Sequence, residues 1–160
     1  MFQLILAIMA IAIFATLLGF GIGGVHPMIT DRKVTSIDAD GGYRALQLAS
    51  IAYRMANGAL PTPDTGGQLT SLVPTYTVMP TAPDGMVWSA GSDSPGRSLW
   101  VCLSGSAISQ AQWQGLIISA KLHPVGSNVL DASCRAPTGA ASTFNPVQFP
   151  TQGAMSFQIY

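Results

Sequence analysis

From position 4 to position 25 the chain carries no charge, and Thr16 holds the one side-chain hydroxyl. About 22 residues of helix rise about 33 Å, enough to cross a hydrocarbon core of about 30 Å. Leu4, Ile5, Leu6, Ile8, Ile11, Ile13, Phe14, Leu17 and Leu18 would point to every side of such a helix. A lipid-embedded segment needs that, and a helix packed on one face does not. The run exceeds the apolar core of a secretory signal, about 7 to 15 residues. No basic residue precedes it and no A-x-A site closes it. The expectation is a retained transmembrane anchor over 1–25, followed by one domain over 26–160. Gly19, Gly21, Gly23 and Gly24 loosen the far end of the run and permit close approach by another helix.

Past the anchor the spacing predicts a helix over 36–57. Ser36, Asp38 or Asp40 is available as its cap, and Asn57-Gly58 as its stop. Leu48, Ile51, Ala52 and Met55 recur at helical spacing as the face to bury, leaving Arg44 and Arg54 for the wet side. Pro61, Pro63, Pro74, Pro80 and Pro83 punctuate 59–85. That stretch reads as a loop packed on the domain, with a helical turn over 69–73 and an extended piece over 76–79. Strands are expected over 86–90 and 98–104, where Leu99, Val101 and Leu103 alternate with Trp100 and Cys102. The Ser-, Asp-, Pro- and Gly-rich turn over 91–96 joins them as a hairpin. A second helix over 109–121 opens with a capping-box pair, Ser109 and Gln112, and buries Trp113, Leu116, Ile117 and Ala120. Val129-Leu130 and 155–160 read as further strands, with a loop over 138–150 between them. Helices and strands are segregated, so the fold class is α+β: a helix packed on a small antiparallel sheet.

Charge changes the picture mainly by exclusion. Charged residues make up 9% of the chain and cancel to a formal net charge of zero, against roughly 25% in soluble domains. All seven acids are Asp. Nucleic-acid binding needs clustered Lys and Arg, and the single adjacent basic pair is Arg32-Lys33. No nucleic-acid partner is therefore expected. The partners implied so far are a membrane and whatever packs against the anchor. Asp31, Arg32 and Lys33 follow the anchor, which by the positive-inside rule would put the domain in the cytoplasm. The cysteines argue the other way. Cys102 and Cys134 lack the neighbouring ligands of a zinc site and form no C-x-x-C motif. In an exported domain they would form a disulfide; in a reducing compartment they would be two buried thiols.

Three segments carry a family resemblance: L-V-P-T-Y over 72–76, D-G-M-V-W-S over 84–89 and L-W-V-C-L-S-G over 99–105. With the element order above, the chain resembles type IV pilins, especially type IVb pilins, minor pilins and related thin-pilus proteins. The resemblance implies an apolar N-terminal helix continuing into one that packs on an antiparallel sheet. It also implies a Cys102–Cys134 bond and a structural role in a pilus or related secretion filament, with other pilin subunits or assembly proteins as partners. The site is then the bacterial inner membrane with a periplasmic domain, or the cell-surface pilus. Ile5 stands where that family carries Glu, which favours an accessory subunit or an unprocessed biogenesis component over a major one. The alternative is a membrane-anchored extracytoplasmic binding or adhesion module unrelated to pili, contacting its ligand through the loops at 61–83 and 138–150.

Catalytic patterns are missing. G-x-S-x-G and the P-loop do not occur, and the glycines at 19–24 follow an apolar helix instead of a strand. His123 precedes Pro124 at a helix end, where it would steady the helix dipole. Asp84, Asp93 and Asp131 sit in turn sequence, where Asp bonds its own backbone. Trp88, Trp100 and Trp113 are spaced as core or sheet-face residues. No enzyme, cofactor or metal site is expected.

Overall fold

A computed structural model describes residues 27–124, 126–137 and 152–159. The expected anchor over 1–25 and the expected loop over 138–150 lie outside these residues. Among the described residues no helix is long and apolar enough to cross a membrane.

The order is α1 (Pro27–Asn57), β1 (Met86–Gly91), β2 (Leu99–Gly105), α2 (Gln110–Lys121), β3 (Asn128–Asp131) and β4 (Gly153–Ile159). The four strands form one antiparallel sheet in the order β1-β2-β4-β3. The fold is α+β.

α1 starts nine residues before the expected 36. Pro27 is at home in a first helical turn, because its missing N–H would have no intrahelical acceptor there. Ser36 and Asp38 therefore lie within the helix and cap nothing. The helix stops where expected: Gly58 takes φ +75° and its N–H donates to the Arg54 carbonyl at 2.8 Å.

The buried face of α1 differs from the one expected. Thr35, Ala39, Tyr43, Leu46 and Ala49 are buried, while Leu48, Ile51, Ala52 and Met55 face outward. The cause is close packing. At Gly42 an added Cβ would sit 2.4 Å from the Trp88 ring, so the helix lies against the sheet on its small residues. Tyr43 stacks on Phe157 with centroids 4.5 Å apart, and its hydroxyl donates to the Gln158 carbonyl at 3.3 Å.

α2 forms as its spacing predicts. The Ser109 hydroxyl accepts from Gln112 N at 3.1 Å, and Gln112 Oε1 accepts from Ser109 N at 2.8 Å. Trp113 and Leu116 are buried, and Ile117 and Ala120 pack on the core. At Gly115 an added Cβ would lie 2.6 Å from the Arg32 carbonyl oxygen, so α2 meets α1 backbone to side.

One face of the sheet supplies the rest of the core: Trp88 from β1, Leu99, Val101 and Leu103 from β2, Leu130 from β3, and Met155, Phe157 and Ile159 from β4. Register aligns them, with Trp88 opposite Leu103 and Leu103 opposite Met155. The 59–85 loop packs on the domain through Leu60, Leu69 and Leu72. Its turn near 69–73 is present, with Val73 N donating to the Leu69 carbonyl at 3.1 Å. No strand forms over 76–79. Ala90 N donates to the Gly67 carbonyl at 2.7 Å, which ties this loop to β1.

Candidate functional site

The outer face of the sheet is built from small side chains. Ser89, Cys102 and Ser156 stand in one row across β1, β2 and β4. The chain leaving β3 returns over this row. Cys134 is joined to Cys102 in a disulfide. Ser89 Oγ lies 3.5 Å from Cys134 Sγ, and Arg135 N donates to Ser156 Oγ at 3.3 Å. Asp131 and Arg135 form an ion pair along the same segment, and Asp131 Oδ1 also accepts from Ala132 N. All three residues of the row thus hold one crossing segment, and bulkier side chains there would displace it. Trp100 lies on this face too, its ring over Gly91, where an added Cβ would be 2.0 Å from the ring.

His123 does more than attend the end of α2. Its Nε2 lies 3.0 Å from Asp40 Oδ1, and Arg44 Nε donates to Asp40 Oδ2 at 2.9 Å. The imidazole stands edge-on to Tyr43 and Phe157, at centroid distances of 4.9 and 5.1 Å. It therefore links the end of α2 to α1 and to β4. Asp84 contributes its carbonyl, which accepts from Gln112 Nε2 at 2.7 Å. Asp93 contributes its backbone N–H, donated to Ser98 Oγ at 3.2 Å. The side-chain turn foreseen for those two occurs at Asp64, whose Oδ1 accepts from Gly66 N and Gln68 N. These residues are spread over the domain and meet at no common point.

A cleft of about 460 Å³ opens between α1, residues 81–84 and the start of α2; Asp31, Asp38, Asp84, Thr35, Ser109 and Gln112 line it. Among the described residues no three His, Cys, Asp or Glu side chains are grouped to hold a metal.

The surface that sequence reasoning missed is the outer stripe of α1. Val34, Ile37, Leu48, Ile51 and Met55 are exposed there, Leu48 at 67% and Met55 at 84%. With Gly41 and Arg44 they step by three and four residues along one line of the helix. The signal was in the sequence as two apolar stripes on one helix, one small and one large. Size alone selected the wrong one for the core.

Compared with protein-family models, with characterised proteins and with solved structures, the chain finds no match.

Proposed function

We propose that this chain is a membrane-anchored, pilin-like subunit or assembly component of a type IVb pilus or related secretion filament, structural rather than catalytic. The observation that carries the reading is α1 itself. It packs on a four-stranded antiparallel sheet through one face, and it begins two residues after an uncharged apolar run of about 22 residues. The disulfide clasp supports the extracytoplasmic placement, since such bonds persist in oxidising compartments. In this reading the domain is carried outside the membrane and the helix supplies the contacts of assembly. The test is fractionation. The chain is expected in sheared, purified filaments or in complexes recovered with the assembly machinery; absence from both would sink the reading.

The cleft beside Asp31, Asp38 and Asp84 favours a second reading, an anchored binding or adhesion module unrelated to pili. Ligand capture by the full chain that persists in cells without filaments would select it over the first.

A further inference from the structure

We infer that the outer stripe of α1 is a self-association seam, along which two copies pack their α1 helices in parallel and in register. The inference rests on the anchoring in the reading above, and it goes beyond it by naming the partner and the contact.

The stripe occupies positions 34, 37, 41, 44, 48, 51 and 55, on the side of α1 opposite the buried line through Ala39 and Leu46. Steps of alternating three and four residues are the spacing at which two helices interlock along a seam. Over 21 residues the seam runs about 32 Å. Five of its seven positions are large and apolar: Val34, Ile37, Leu48, Ile51 and Met55. The described core leaves all five exposed. No other line of α1 pairs large apolar residues with exposure over this length.

Three features select a second copy as the occupant. The 26 residues before α1 hold the apolar run, which ends at Val25, two positions from the helix. Copies held in one bilayer therefore present their stripes at the same height and in the same direction, at high effective concentration. Gly41 has nothing within 4 Å of its Cβ position, which leaves room for a second helix near the middle of the seam. Arg44, the one charge on the line, is already bound to Asp40 at 2.9 Å. Each copy thus brings one charge of each sign to the same level, and like charges do not oppose the pairing.

The test uses the full-length chain in its native membranes. Cys102 and Cys134 are bonded to each other, so an introduced cysteine is the one thiol available. Met55→Cys and Leu48→Cys place it on the seam, at positions exposed enough to leave the fold alone. Ala56→Cys places it on the same exposed helix end but off the line. After mild oxidation, the first two variants are expected to give covalent dimers at least tenfold above the third. Adding Leu48→Asp to Met55→Cys should lower its dimer yield about tenfold. Equal yields at all three positions overturn the seam. So does a Leu48→Cys chain joining a Met55→Cys chain more readily than its own kind, which would mean a staggered contact. Adducts formed with a different protein alone also overturn it. Release of the chain from membranes by alkaline carbonate would instead refute the anchoring, with the cross-links still deciding the seam.

Discussion

Gly115 and Gly41 are both helical glycines, yet replacing each by alanine should move stability in opposite directions. Helix propensity favours Ala over Gly by about 1 kcal/mol in a helix interior. At Gly41 nothing lies within 4 Å of the new methyl, so Gly41→Ala should keep that whole gain. At Gly115 the methyl would meet the Arg32 carbonyl oxygen at 2.6 Å and Thr35 Cβ at 2.8 Å. Comfortable heavy-atom contacts begin near 3.5 Å, so α1 and α2 must part by the better part of about 1 Å. The first obstacle is backbone inside a helix and cannot rotate away. Overpacking of this kind costs about 1 to 3 kcal/mol. The upper part of that range applies, and the net loss is about 2 kcal/mol. Urea unfolding of the detergent-solubilised full chain, followed by tryptophan fluorescence, reads the difference. With a slope of about 2 kcal/mol per molar, Gly115→Ala lowers the midpoint by about 1 M and Gly41→Ala raises it by about 0.5 M. A rise in both midpoints would show that the helices are not in contact at Gly115.

The disulfide closes a separation of 32 residues; replacing both cysteines by serine should cost about 3 to 4 kcal/mol, seen as an earlier urea midpoint, and an unchanged midpoint would refute the clasp. Leu103→Ala removes a fully buried side chain and should cost about 2 to 5 kcal/mol, whereas Leu48→Ala on the outer stripe should stay within about 0.5 kcal/mol in the monomer. Thermal melts that rank the two the other way would restore the face of α1 expected from residue size. Ser109→Ala breaks the capping box of α2 and should cost about 1 kcal/mol in the same melts, with no loss at all refuting the cap's contribution.

The elements read correctly from sequence are those whose cause is local. The β1–β2 hairpin follows from alternation around a turn rich in Ser, Pro and Gly. That turn is then held by Ser98, whose hydroxyl accepts from Ser94 N at 2.8 Å. The start of α2 follows from one serine and one glutamine three residues apart. α1 was harder, because its start and its face are decided by what it touches. Gly41-Gly42 looks like a weak first turn until Trp88 is seen to need the space at Gly42. Leu48, Ile51 and Met55 look like core until Ala39, Leu46 and Ala49 are seen to fit closer to the sheet. The clasp was half legible: a cysteine pair is visible in sequence, but the row of Ser89 and Ser156 beside it depends on strand register. The same holds for His123, whose meeting with Asp40 joins residues 83 positions apart.

The position of β4 bears on how the chain reaches its folded state. β4 lies between β2 and β3, pairing with both, although it is the last strand in sequence. Until residues 153–159 arrive, β2 has one unpaired edge and β3 has no neighbour at all. A ribosome or a translocation channel delivering the chain from its N-terminus therefore releases the hairpin and both helices well before the sheet can close. In that interval the β2 edge, with Leu99, Val101 and Leu103 bare, can pair with any passing strand. A chaperone that occupies this edge and is then displaced by residues 153–159 would bring each chain through the interval unaggregated.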